Sequence, residues 1–321
     1  MAIFDFYIMV DWSGGNSQAA NRAHCIWIAQ GAGEDPQPAT ESPRSRTEAI
    51  DRVIQLTCQF LQTNHNGRVL ACLDFAFGYP RGFAQHLPAE GLETPSWTRV
   101  WEYLAENVQD DVGTQPGGLP TNRSNRFDIG NQLNALLGGV NNPGPFWCAE
   151  PNWREQMQNA GQPILIPQNM PQNFTSNAEV AIPQFRISDQ RVESDFPFRL
   201  FGNGSVGSQM LTGIPRLQQL RQSPEIAEHG VCCVWPFETG WAVETAPWPR
   251  DEVRMVLAEI YPSVRQPLDD DVLDRGQVRA MWHWARDQDN HDQLINRFQR
   301  PDNLTDDEEN VVRCEEGWIL H

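Results

Sequence analysis

Four acidic residues stand where a strand or helix pattern begins or ends, and acids in such places can bind cations or move protons. Asp11 follows the apolar run from Ile3 to Val10 and precedes Ser13-Gly14-Gly15. Asp74 ends the apolar run in LDFAFGYP, and Glu259 ends the one in MVLAEIYPS. Such β-favouring runs fit strands covered on both faces, which leaves each acid at a strand tip before a turn. Asp274 precedes the helical pattern Gly276–Arg286. Carboxylates brought side by side repel unless one is protonated or a cation lies between them. A divalent metal with oxygen ligands is the usual resolution. Each acid also has a plain structural reading. Aspartates cap turns, and an acid in a first helical turn complements the macrodipole.

The anion-binding side of such chemistry has three candidates. Ser13 and Gly14 permit a tight turn whose N–H groups can approach a bound oxygen. Gly202-Asn203-Gly204-Ser205-Val206-Gly207 matches G-x-G-x-x-G, but the preceding run Phe196–Phe201 is short and contains Pro197. That context argues against a dinucleotide site. A helix N-terminus with Gly204 and Ser205 at an anionic pocket fits better, as does a plain glycine loop. Arg123 and Arg126 have helical spacing, suited to a bidentate grip on a phosphate or to pairing with surface acids.

These residues need elements to place them. Ile3–Val10 reads as a strand, and His24–Gln30 as its hairpin partner, with Gly31–Pro43 a loop. Ser45-Arg46-Thr47-Glu48 has capping-box spacing and opens a helix whose apolar face includes Ile50, Val53 and Leu61. Arg68–Ala76 is the third strand, so Asp11 and Asp74 share one sheet edge if the first and third strands are neighbours. From about 88 to 228 the texture changes to Asn, Gln, Pro and Gly. Helices are expected at Ser96–Val108 and Asn125–Leu137, an irregular stretch runs through Phe198, and Val206–Arg221 is helical with a break at Pro215. Strands follow at Val231–Trp235 and Arg254–Ile260, and Glu316–Leu320 is expected as a short edge strand. The expected architecture is α/β: a mixed sheet with flanking helices from 1–87 and 229–321, and an insertion or cover segment at 88–228.

The chain has 321 residues and a net charge of −18, and all 24 basic residues are Arg. The absence of Lys removes the Walker A lysine and any Schiff-base lysine. The charge opposes binding of long duplex nucleic acid and leaves a small phosphorylated molecule or short nucleic acid as the expected partner. Seven cysteines without a C-x-x-C pair point to reduced thiols. No apolar run approaches the length of a membrane span, and the acidic N-terminal stretch is unlike a secretory leader, so a cytoplasmic protein is expected.

The acids resemble the arrangement of the ribonuclease H-like fold, in which acids on the first strand, the fourth strand and a late helix bind two divalent ions. D-W-S-G, LDFAFGYPRGFA, GSVGSQMLTGIP, VWPFETGW, AEIYPS and EEGWIL are together similar to one family. It comprises uncharacterised bacterial proteins related to predicted ribonuclease H-like nucleases, often labelled cobalamin or molybdopterin-guanine-dinucleotide biosynthesis proteins. The resemblance covers nearly the whole chain and implies functional acids at Asp11, Asp74, Glu259 and Asp274. Relatives tend to carry Lys before the late Asp, where this chain has Leu273. The expected function is metal-dependent phosphoryl transfer, hydrolysing a phosphodiester or nucleotide. Mg²⁺ or Mn²⁺ would sit on Asp11, Asp74 and Asp274, while Glu259 completes the site. Two alternatives stand beside it. One is a kinase or ATP-binding protein of the actin-like group, which D-W-S-G-G resembles; the other is a non-catalytic nucleotide or small-anion binding protein.

Overall fold

The computed structural model describes residues 2–16, 20–88, 96–110, 121–202, 204–243 and 248–321. Its centre is a six-stranded mixed sheet with the order β3-β2-β1-β4-β6-β5. The strands are β1 (Phe6–Asp11), β2 (Trp27–Ala32), β3 (Ala39–Glu41), β4 (Val69–Leu73), β5 (Val231–Val234) and β6 (Val253–Glu259). β1 pairs antiparallel with β2 and parallel with β4, and β4 pairs parallel with β6. The hairpin and the β1–β4 neighbourhood expected from the sequence are both present. β3 was not expected; it lies in the Pro- and Gly-rich stretch read as loop, and it makes the strand before Asp74 the fourth. Its three residues are mostly exposed, so no apolar pattern marked it.

The helices are α1 (Arg46–Thr63), α2 (Trp97–Asn107), α3 (Arg126–Leu137), α4 (Pro151–Asn159), α5 (Ile187–Val192) and α6 (Val206–Arg221), followed by α7 (Pro224–Ala227), α8 (Leu273–Asn290), α9 (Leu294–Arg297) and α10 (Asp306–Val311). Ser45 caps α1 through its side chain, which accepts from the Glu48 amide, as the box spacing predicted. α6 runs through Pro215 without a break. A helix can carry a proline when packing outweighs the lost bond, and Met210, Leu211, Ile214 and Leu217 are all fully buried. The expected edge strand at 316–320 is instead a π-turn over Val312–Glu316 and a single bridge from Ile319 to Glu259.

The sheet separates two cores, and the period of two decides which side chains enter which. Phe6, Ile8 and Val10 face a core shared with α1, α2, α3 and α6, whereas Tyr7 and Met9 face one built by α8, α9 and the C-terminal segment. The central segment is therefore more than a loose cover. Trp101, Leu133, Leu211 and Ile214 pack in the same cluster as the strand residues.

Candidate functional site

Parallel register brings the first two acids together. Val10 lies opposite Leu73, and the Asp74 amide donates to the Val10 carbonyl at 2.9 Å, so Asp11 and Asp74 are side by side beyond the ladder. By alternation both belong to the face of Tyr7, Met9 and Cys72, which is the face that α8 covers. α8 begins with Leu273 and Asp274, so the third aspartate arrives on that same side. The Asp274 Oδ2 accepts from the His24 amide at 2.5 Å, which fixes the carboxylate to the start of β2. Leu273 is 57% exposed at the helix start and contributes no polar group.

Glu259 has the other parity. It lies opposite Leu73 and continues the face of Met255 and Leu257, away from α8. There its carboxylate accepts from Arg186, Nη1 to Oε2 at 2.7 Å and Nη2 to Oε1 at 2.5 Å, and from the Phe77 amide. Asp189 binds the same guanidinium. Glu259 still lines the cavity, but both of its oxygens are engaged in holding Arg186, so it is a wall of the site.

The acids line a cavity of about 520 Å³ together with Asp195, Tyr261, Gly204 and Ser205. Burial, then the charges of Asp74 and Asp274, push Asp11 well above the usual carboxylate range. Burial, then Glu259, Asp274 and Asp195, push Asp74 up to about 8. No arginine acts on either group, and among the described residues neither Asp11, Asp74, Asp274 nor Asp195 is in an ion pair. At pH 7 the Asp11–Asp74 pair therefore retains a proton or needs a cation.

The opposite wall is the start of α6, and close packing seats it there. A Cβ on Gly14 would lie 2.9 Å from the Gln209 amide nitrogen, and one on Gly213 would lie 2.4 Å from the Phe75 ring. Gln209 also donates to the Trp12 carbonyl at 2.7 Å. Thus α6 touches the turns that follow both Asp11 and Asp74. Gly207 has a similar reason: its Cβ would meet the Pro197 and Arg199 carbonyls at 2.7 Å. That contact accounts for Gly207; Gly202 and Gly204 have positive φ, which favours glycine, and Asn203 lies outside the described residues.

No protein-family model, no curated protein and no solved structure matches this chain.

Of the anion-binding residues expected from sequence, Gly204 and Ser205 line the cavity with Ser13 and Gly14. The Ser13 hydroxyl is already engaged, donating to the His24 carbonyl and accepting from the Gly15 amide. The two arginines are corrected. Arg123 is exposed and outside the cavity lining. Arg126 is buried behind the wall, donating to Ser208 and to Asn16, and burial with the nearby Arg46 charge brings it down to about 10. Sequence reasoning missed Arg46, whose Nη1 donates to the Ser13 and Gly15 carbonyls while Asp110 neutralises it. It also missed Arg186, Asp189 and Asp195, which lie in a stretch without periodicity and carried no signal.

The donor set suits a hard cation, because every unpaired ligand is a carboxylate. Among the described residues no three His, Cys, Asp or Glu side chains are grouped closely enough to hold an ion by themselves.

Proposed function

We propose that the protein is a metal-dependent phosphoryl-transfer enzyme that hydrolyses a phosphodiester or nucleotide. The observation that carries this reading is the pair Asp11 and Asp74, desolvated, mutually repelling and unmatched by any arginine. A second support is placement: Asp11 ends β1, Asp74 follows β4 and Asp274 stands in the first turn of the late helix α8, as in the ribonuclease H-like arrangement. Mg²⁺ or Mn²⁺ bound there would supply charge to polarise a phosphate and to lower the pKa of an attacking water.

The chain's own residues do the rest. Asp11 and Asp74 would hold the cation, and Asp274, steadied by the His24 amide, would orient the attacking water. The first amides of α6 have no intrahelical acceptor and point a positive dipole end at the cavity, which suits phosphate oxygens. The cavity size and the −18 charge favour a small phosphorylated molecule or the end of a short nucleic acid over long duplex DNA.

Calorimetric titration of Mn²⁺ into the wild type, Asp11→Asn and Asp74→Asn tests the reading, alongside turnover of bis(p-nitrophenyl) phosphate. Each variant is expected to lose at least about tenfold in Mn²⁺ affinity and all measurable turnover. Equal affinity in the three proteins would rule out the pair as ligands. Mn²⁺ binding without turnover of any phosphate ester would move the assignment to nucleotide or small-anion binding.

A further inference from the structure

We propose that Asn16 is a donor to phosphate oxygen in the acid-lined cavity, and that Arg126, buried behind it, is the residue that positions it. The phosphate as ligand rests on the phosphoryl-transfer reading; the Asn16–Arg126 unit is argued from its own geometry.

Arg126 opens α3 and is only 5% exposed. Its Nη1 donates to the Asn16 Oδ1 at 2.6 Å and to the Ser124 Oγ at 3.0 Å. Its Nε donates to the Ser208 Oγ at 3.0 Å. All three acceptors are neutral, and among the described residues no carboxylate pairs with this guanidinium. Burial, and then the Arg46 charge, bring it down to about 10, so it is still a cation at neutral pH. A buried cation without a counter-ion is costly, and an anion held on Asn16 recovers part of that cost. Arg154 and Arg254 also lack an acid, but they spend their hydrogen bonds on main-chain carbonyls. Arg126 differs from them in gripping a side chain of the cavity lining.

The consequence falls on Asn16, which is exposed and lines the cavity. Arginine only donates, so the carboxamide oxygen must face it and the Nδ2 group must face the other way. Among the described residues nothing accepts from that Nδ2. A charge-assisted bond to the oxygen fixes the amide plane and polarises the amide, so Nδ2 is aimed and strengthened before a ligand arrives. The main chain adds a second donor. Arg46 Nη1 holds the Gly15 carbonyl at 2.7 Å, and a trans peptide turns the next N–H the opposite way. The Asn16 N–H therefore points away from that arginine, and no described residue accepts from it.

Asn16 stands at the far end of the turn that follows Asp11, and both residues line one cavity. Where a cation on Asp11 and Asp74 would polarise one phosphate oxygen, Asn16 holds another. Among the described residues Arg186 is the only arginine of that lining, and Asp189, Glu259 and the Glu316 carbonyl occupy it. Neutral donors backed by a buried charge thus take the place of a direct arginine or lysine contact. They select a phosphate with at least two unesterified oxygens, as in a diester or a monoester.

Inorganic phosphate, titrated calorimetrically into the Mg²⁺-saturated protein, tests the assignment. Saturable binding by the wild type is expected, weakened about tenfold or more in Asn16→Ala. Because Asn16 is exposed, that variant should keep the wild-type melting curve and Mg²⁺ affinity. Arg126→Gln should weaken phosphate by a similar factor. Added to Asn16→Ala it should change the affinity by no more than about twofold, since a positioning residue has nothing left to position. Unchanged phosphate affinity in Asn16→Ala, or no saturable binding by the Mg²⁺-loaded wild type, overturns Asn16 as a phosphate donor. Strictly additive losses in the double variant overturn the positioning role of Arg126. Failure of both Mg²⁺ and Mn²⁺ to bind overturns the phosphoryl-transfer reading instead. Phosphate titrated in EDTA then decides Asn16 alone: binding that Asn16→Ala loses sustains the donor, and no binding by the wild type overturns it.

Discussion

Asp74 holds its proton to about pH 8 because burial and three neighbouring acids penalise its charge, whereas an unfolded aspartate loses it near 3.9. Between those values the folded protein binds more protons than the unfolded chain, so stability falls as pH rises through that window and levels off above it. Asp74→Asn removes the titration without changing the shape. Its Tm is expected to exceed that of the wild type at pH 8.5, by about 2–4 °C for each kcal/mol of repulsion relieved, and to match it near pH 4. Mn²⁺ should raise the wild-type Tm at pH 8.5 more than the variant's, because the variant keeps only one carboxylate of the Asp11–Asp74 pair. Since the ion displaces a proton, wild-type Mn²⁺ affinity should also climb from pH 6 to pH 8.5. Parallel Tm-versus-pH curves for the two proteins would contradict the shared-charge account.

At the scale of elements, the strands other than β3 were legible because apolar runs of β-favouring residues can hardly be anything else at such lengths. The Asp11–Asp74 neighbourhood followed from the β1–β4 pairing. Parity was not legible: both faces of β6 are apolar, so nothing in MVLAEIYPS says which core Glu259 leans toward. Nor could the sequence reveal that the glycines within α6 are packing glycines, because their neighbours come from distant turns. Gly213 makes the point testable. Its missing side chain admits Phe75, the residue after Asp74, and an added methyl would sit 2.4 Å from that ring. Gly213→Ala is expected to cost about 1–3 kcal/mol and to weaken Mn²⁺ binding by displacing Phe75 or α6. Phe75→Leu in the same chain should restore part of both, and strictly additive losses in a double-mutant cycle would show that the contact does not couple them.

For the whole molecule, Arg186 is the joint between distant parts of the chain. All five of its N–H groups are engaged: Nε and Nη2 with Asp189, Nη1 and Nη2 with Glu259, and Nη1 also with the Glu316 carbonyl. It thereby ties the central segment at α5 to the end of β6 and to the C-terminal turn. Glu316 adds to the joint, its carboxylate accepting from the Arg81 and Ile187 amides. Burying this cluster is costly in desolvation, so its net contribution to stability is small while complete; breaking it is another matter, because two carboxylates are left buried without a cation. Arg186→Met is therefore expected to cost about 3–5 kcal/mol in urea denaturation. Adding Asp189→Asn and Glu259→Gln to that variant removes the stranded charges and should recover part of the loss, although three groups are then altered instead of one. The recovery separates uncompensated charge from lost packing, since packing is no better in the triple variant. Equal stability of the single and triple variants would mean that the guanidinium acts through its contacts and that Glu259 and Asp189 adjust their protonation without cost.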